Sequence, residues 1–248
     1  MHPILLRLGP ITIYSYGFML AVAFIVATML AQQKARQFGV NPEKILELAI
    51  FIMLFGIIGA RIAYVLLNLQ DFVKRPFEIF YLHKGGLVFY GGAIFGGVAS
   101  LFFIKRNKLN GPDLADLIAP YAALGQSIGR IGCLLNGCCW GKPTDLAWAI
   151  VLPQQEGTLH PTQAYESLGV LVIFLILVIL QDKRVFRGQI FGLYLLFYSM
   201  LRFFIEFLRG DNTIVFFSLT FSQIASVIIF IISLFFYIKM SKDAKSQI

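Results

Sequence analysis

Arg61, Arg130 and Arg202 sit inside stretches otherwise fit for hydrocarbon, and Arg209 and Glu206 stand beside the last of them. An ionisable side chain at membrane depth costs at least about 2.5–3.5 kcal/mol on insertion scales, so each needs a partner or a task. The segment YSMLRFFIEFLR spaces Tyr198, Arg202, Glu206 and Arg209 by 4, 4 and 3 residues, which puts them on one helical stripe. A plain structural explanation is an i,i+4 ion pair between Arg202 and Glu206. The chemical explanation is an anion. Arginine presents a planar, permanently charged fork that suits phosphate, and two or three guanidinium groups buried together repel one another unless an anion lies between them. Such a site, in the outer leaflet, would bind a phospholipid headgroup, the most abundant candidate anion.

Other segments gather near these arginines in depth. The glycine run KGGLVFYGGAIFGG, from Lys84 to Gly97, contains Gly91, Gly92 and Gly96; it supports either close helix packing or a backbone approach to a ligand. GRIGCLLNGCCWG, from Gly129 to Gly141, is expected to break or kink its helix, freeing backbone groups beside Arg130, with Asn136 and Gly137 available to a ligand. A cavity is expected there. Cys133, Cys138 and Cys139 are too few and too clustered for a disulfide framework. A zinc site with His160 is disfavoured because adjacent cysteines rarely both ligate one ion. A nucleophilic or redox role lacks a neighbouring histidine in sequence. Small apolar fillers, free or joined as a disulfide on an oxidising face, are the simpler reading, and no metal is assigned. LHPTQAYES places Pro161 at a helix entrance, so His160 faces the boundary as either a satisfied loop residue or a base that titrates near neutrality.

The elements that must hold these residues follow from composition. Of 248 residues, 58% are hydrophobic and only 14% charged, which disfavours a water-surrounded globule or a nucleic-acid module. Stretches near 13–33, 46–69, 86–104, 114–136, 163–181, 188–208 and 217–239 are each long enough to cross about 30 Å of hydrocarbon. The expected fold is all-α and integral to the membrane, with seven transmembrane helices in one domain. The first span is too long for a cleaved signal peptide and is expected to be retained. Basic residues orient it: twelve Lys and Arg fall in the loops at 34–45, 105–113 and 182–187 and the tail from Lys239, against six on the opposite side. This asymmetry predicts the N-terminus outside and the C-terminus in the cytoplasm. The two largest loops, about 70–85 and 137–162, then lie outside. Helical rise places Arg130 about 21 Å from Asp116, in the outer half, level with Arg61, Tyr16, Tyr90, Tyr165 and Glu166.

Taken together, these segments resemble the prolipoprotein diacylglyceryl transferases, bacterial membrane enzymes of lipoprotein maturation. The matching pieces are SYG at Ser15–Gly17, GAR at Gly59–Arg61, GGLVFYGG at Gly85–Gly92, DLIAP at Asp116–Pro120, GRIG with NG in Gly129–Gly137, HPTQAYE at His160–Glu166 and YSMLRFFIEFLR at Tyr198–Arg209. They run through nearly the whole chain in the family's order. The resemblance implies transfer of the diacylglyceryl group of phosphatidylglycerol to the lipobox cysteine of a preprolipoprotein, with release of glycerol phosphate and no cofactor. It also implies a site on the outer side of the bacterial cytoplasmic membrane and an enzyme expected to act as a monomer. Within it, Arg130 and Arg202 are expected to stabilise the leaving phosphate, with Glu206 orienting Arg202, and Arg209 and Tyr198 supporting it. Tyr16, Arg61, Gly91, Gly92, Asn136, Gly137, Tyr198 and Arg209 are expected to contact substrate.

Two departures bear on the chemistry. Tyr90 stands where well-known members have a histidine, and Cys133 and Cys138 replace an asparagine and an acidic residue of the GRIG segment. The general base is therefore open among Tyr90, His160, His83 and Glu206, or the local positive field serves instead. A phospholipid transporter or scramblase would also want an outer anion site, but the inner half offers only the isolated Asp116 and Glu47 as a polar path. A paralogue that binds lipid without catalysis is the other alternative.

Overall fold

A computed structural model describes residues 2–9, 11–81, 85–152, 155–212, 214–216 and 218–245. The chain divides into two compact units, one of residues 32–114 and one of residues 1–31 with 115–248. Most described residues are helical. Among them, five helices are long and apolar enough to cross a membrane: Ser15–Phe38, Pro42–Leu67, Thr162–Gln181, Gln189–Glu206 and Phe221–Ala244. The stretches near 86–104 and 114–136 are helical as well, but glycine and charge keep them out of that group. Exposure along the helices shows what surrounds them. Leu168 and Ile179 on the third of the five are more than half exposed, at 62% and 63%, while Val170 and Leu177 on the opposite face are fully buried. A helix apolar on both faces has lipid as its solvent.

In the unit of residues 32–114, α2 (Pro42–Leu67) begins with Asn41 capping: its side-chain oxygen accepts from the Glu43 amide at 3.0 Å, and Pro42 occupies the first helical position. A short helix α3 (Leu69–Lys74) and a 3₁₀ turn (Pro76–Phe80) follow, then α4 (Phe89–Arg106). α2 and α4 pack through glycine. A Cβ on Gly91 would lie 2.4 Å from the Gly59 carbonyl oxygen and from the Ala63 Cβ, and one on Gly92 would lie 3.0 Å from the Gly56 carbonyl oxygen. Small residues on both helices thus let the backbones meet.

The other unit opens with an antiparallel hairpin, β1 (Ile4–Leu8) with β2 (Ile11–Tyr14), an addition to the expected all-α chain. It leads into α1 (Ser15–Ala35), whose first amide donates to the Pro3 carbonyl at 3.0 Å. α5 (Gly111–Asn136) stays helical through Gly129 and Gly132, contrary to the expected break. These glycines serve as a packing face for α1 instead: a Cβ at Gly132 would come within 3.0 Å of Met19 Cβ, and Gly125 lies against Ala23 and Ala27. The helix ends at Gly137, whose φ of 76° supports a Schellman closure in which the Cys138 amide donates to the Cys133 carbonyl at 3.2 Å and the Gly137 amide to Leu134 at 3.3 Å.

Pro120 lies inside α5. Lacking an N–H, it leaves the Asp116 carbonyl without its helical donor. Gln181, at the end of α6 (Thr162–Gln181), fills the gap by donating its Nε2 to the Asp116 and Leu117 carbonyls at 2.9 and 3.1 Å. The Asp116 carboxylate accepts from the Gly188 and Phe191 amides at 2.7 and 3.0 Å and pairs with Arg184 at 3.3 Å. It therefore caps α7 (Gln189–Glu206), whose own N-cap is a glycine. Asp116 is a structural cap rather than an isolated inner charge, and Glu47 likewise pairs with Lys44 at 2.6 Å. Around this junction Ala119, Ile173, Leu177 and Ile190 form a buried cluster. α8 (Phe221–Lys245) packs along α7, and two further hairpins, β3 (Ile150–Val151) with β4 (Thr158–Leu159) and β5 (Ile214–Phe216) with β6 (Leu219–Thr220), lie in the loops.

Candidate active site

α5, α6 and α7 bring three charged side chains together. Glu166, in the second turn of α6, is 2% exposed, and its two oxygens face different arginines. Oε1 lies 2.8 Å from Arg130 Nη2, and Oε2 lies 3.3 Å from Arg202 Nη1. Tyr198 donates its hydroxyl to Oε1 at 3.1 Å. The two guanidinium groups do converge, as expected from sequence, but a protein carboxylate occupies the position between them. By sequence Glu166 is only a boundary residue. The signal for its role is its place in HPTQAYE at the depth of Arg130.

Arg202 also pairs with Glu206 at 2.7 Å, one turn on, and donates to Ser222 Oγ at 3.3 Å. Glu206 in turn accepts from Asn212 Nδ2 and Thr220 Oγ1, each at 2.6 Å. A carboxylate anchored by so many donors fixes the orientation of Arg202. Arg209, expected beside Arg202 as a supporting residue, has a partner of its own. α7 ends at Glu206, so Arg209 leaves the stripe and forms a two-pronged pair with Asp211 at 2.9 and 2.7 Å.

Two guanidinium groups balance two carboxylates here, yet their donors are not equally used. Arg202 is engaged on both terminal nitrogens and is 13% exposed. Arg130 meets Glu166 through Nη2 alone; among the described residues its Nε and Nη1 have no acceptor, and its side chain is 19% exposed. A locked guanidinium with open donors is suited to receive an anionic oxygen. On the α7–α8 side, an apolar cavity of about 240 Å³ is lined by Ser199, Phe203, Phe204, Ser226 and Phe230, beginning one turn from Arg202.

The loop after α5 is anchored to α6. Thr162 Oγ1 donates to the Cys139 carbonyl at 2.7 Å and Gln163 Nε2 to the Cys138 carbonyl at 2.6 Å. Gly141 is wedged between strands: a Cβ there would lie 2.5 Å from His160 Cβ and 2.9 Å from the Leu208 carbonyl oxygen. The Lys142 amide donates to Leu208 at 2.7 Å. Hydrogen bonds from the Cys133 and Cys138 thiols, then the positive charges of Arg209 and Arg130, hold the Cys139 thiol below its usual range despite burial. Asn136 ends α5 exposed, and Tyr16 opens α1 against Gly132. His160 points Nδ1 at the Tyr165 hydroxyl, 3.5 Å away, which also accepts from Trp148 at 2.8 Å; His160 is not among the partners of the arginine network.

In the unit of residues 32–114 the residues expected at substrate make these protein contacts. Arg61, 8% exposed, donates Nε to Ile79, Nη1 to Gly85 and Gly86, and Nη2 to Glu78 and Tyr81, all backbone carbonyls, between 2.5 and 3.5 Å. Tyr64 and Phe72 flank the guanidinium at 5.6 and 5.4 Å. All five N–H groups are engaged by the 78–86 segment, leaving none for a headgroup. Gly91 and Gly92 turn their Cα faces to α2. Tyr90 is 57% exposed and meets Phe89 edge to face. His83 lies outside the described residues.

The helices define a membrane protein that buries an arginine–carboxylate network. Comparison with known proteins narrows the class. The family described as prolipoprotein diacylglyceryl transferase matches residues 3–239, and the chain belongs to that family. Phosphatidylglycerol–prolipoprotein diacylglyceryl transferase of Clostridium tetani is 33% identical over 242 residues, covering 96% of this chain and 97% of the relative. Proteins of the same name from Trichormus variabilis and Bordetella bronchiseptica are each 36% identical, over 224 and 217 residues. Each alignment spans 85% of this chain, and 79% and 83% of the respective relatives.

Proposed function

We propose that this chain transfers the diacylglyceryl group of phosphatidylglycerol to the lipobox cysteine of a preprolipoprotein, the first step of lipoprotein maturation. The observation that carries the reading is Arg130, fixed by buried Glu166 beside Arg202 with donors still open. The acceptor thiol loses its proton, its sulfur forms a bond to the glycerol carbon, and the bond from that carbon to the phosphate oxygen breaks. Glycerol phosphate leaves with the added negative charge. Arg130 meets that charge as it develops, which lowers the barrier more than it tightens ground-state binding. Arg202 completes the positive face, while Glu166, Glu206 and Tyr198 keep both guanidinium groups oriented. Glu206 is tied to Asn212 and Thr220 through one oxygen and ion-paired to Arg202 through the other, and the open N–H donors of Arg130 favour the thiolate. An acyl chain fits the apolar cavity between α7 and α8.

The chain crosses the bacterial cytoplasmic membrane seven times, N-terminus outside, with the site toward the extracytoplasmic side. The asymmetry of the basic loops supports this orientation. Arg61 and the α2–α4 glycine contacts act as scaffold. The test is to incubate the purified chain with phosphatidylglycerol vesicles and a lipobox peptide and to look by mass for the thioether-linked diacylglyceryl product. Arg130→Ala and Arg202→Ala are expected to abolish it. Full activity of either variant removes the assignment, and movement of labelled lipid between leaflets without product would favour a scramblase.

A further inference from the structure

The transfer proposed above assigns no role to the three cysteines, whose thiol sulfurs all lie within 4.8 Å of one another. All three are free. We propose that Cys133, Cys138 and Cys139 form a three-sulfur site for a thiophilic d¹⁰ cation, Zn²⁺ with its fourth position open or three-coordinate Cu⁺. Sulfur ligands select such ions over hard cations. A tetrahedral zinc site with Zn–S near 2.3 Å places its sulfurs about 3.8 Å apart, so the cluster needs to close by no more than about 1 Å.

Adjacent cysteines rarely share an ion, because an ordinary backbone turns their side chains apart. Here the backbone differs. Cys139 has φ 61°, a left-handed conformation that a non-glycine residue seldom holds without support from its surroundings. With it, Cys138 and Cys139 send their sulfurs toward Cys133 instead of to opposite sides. Support comes from both flanks. The Schellman closure ties Cys138 to Cys133, and Thr162 and Gln163 hold the carbonyls of Cys139 and Cys138. Gln163 is 1% exposed, and its Oε1 has no donor among the described residues. A water on the open position of a zinc ion is a donor of the kind that acceptor lacks. Three thiolates around Zn²⁺ carry a net negative charge, which Arg130, one turn before Cys133, partly offsets.

The experiment uses the full chain purified in detergent under reducing conditions. Separate samples receive one equivalent of Zn²⁺, Cu⁺ or, as a spectroscopic probe, Co²⁺, are desalted, and are measured for retained metal and for alkylation of the thiols. About one ion per chain is expected in the Zn²⁺ or the Cu⁺ arm, and the ion that survives the higher chelator concentration identifies the site's preference. Co²⁺ is expected to give sulfur-to-metal charge-transfer absorption. Cys133→Ser and Cys138→Ser should each weaken retention at least about tenfold. If the buried Cys133 variant does not fold, protection of all three thiols from alkylation by bound metal in the unaltered chain decides the matter. Equal retention by a chain with all three cysteines changed to serine overturns the proposal. So does unprotected alkylation at one equivalent of metal, or a disulfide between any two of the three in protein isolated from membranes. None of these readouts requires transferase activity, so the proposal can fail while the transferase reading stands.

Discussion

Glu166→Gln tests the network at its centre. The substitution keeps the size of the side chain but removes the charge that serves Arg130 at 2.8 Å and Arg202 at 3.3 Å, and turns one acceptor oxygen into an NH2 donor. Removing one partner of a buried ion pair costs about 3–5 kcal/mol, because the charge left behind is uncompensated. Two guanidinium groups would be left behind here, with Glu206 serving only one of them. The loss should therefore fall at the upper end of that range. For activity, a shift of about 1 Å in a reacting group can cost about 10²-fold, so the rate with phosphatidylglycerol should drop by that order as Arg130 loses its anchor.

A double-mutant cycle separates this coupling from a general packing effect. Thermal or denaturant unfolding in detergent is measured for Glu166→Gln, Arg130→Gln and the pair. Removing Arg130 relieves the repulsion that Glu166→Gln creates, so the double variant should be more stable than the sum of the singles requires, by about 0.5–3 kcal/mol. Additive losses would refute the bridging role of Glu166, as would a Glu166→Gln chain of unaltered stability and rate.

Other contacts give sharper structural contrasts. Arg61→Lys keeps the charge but offers three donors where five are used, so it should lower the unfolding midpoint while leaving KM for phosphatidylglycerol unchanged; a raised KM would return Arg61 to the substrate. Gly91→Ala should destabilise by about 1–3 kcal/mol, because its Cβ meets backbone, whereas Gly97→Ala, with open space around it in the same helix, should be neutral or stabilise by about 0.5–1 kcal/mol on unfolding. Gln181→Leu should cost about 1–3 kcal/mol by stranding the Asp116 carbonyl. Pro120→Ala in that background should recover part of the loss by restoring a helical donor, and a failure to recover would show that the stranded carbonyl is not the cause.

What the sequence discloses and what it hides divide along a physical line. Hydropathy and helical rise depend only on local order, so the helix positions and the common depth of Arg130, Arg202, Tyr198 and Glu166 follow from the residues alone. Partner choice depends on which helices touch, and thirty-six residues separate Glu166 from Arg202. Nothing in spacing says that one carboxylate will sit between two arginines from α5 and α7. Arg209 departs from its expected place for a related reason: the 3.6-residue period does not extend past Glu206, where the helix ends and Asp211, two residues beyond Arg209, becomes the near partner. The glycines of α5 look like breakers in sequence because isolated glycine lowers helix propensity, by about 1 kcal/mol against alanine. In lipid that cost is offset by close approach of α1. The hairpin of β1 and β2 leaves only two short apolar runs in the sequence, a weaker signal than the long apolar run behind them.

The carboxylate between the arginines bears on mechanism. Had the guanidinium groups met with no protein anion between them, their mutual repulsion would make the empty site costly and its geometry dependent on bound lipid. With Glu166 in place the network is neutral and preorganised when substrate arrives, so the leaving phosphate meets donors already fixed in direction and little free energy goes into reorienting them. The carboxylate that displaces the expected phosphate from between Arg130 and Arg202 is thus what lets Arg130 point its unused Nε and Nη1 elsewhere.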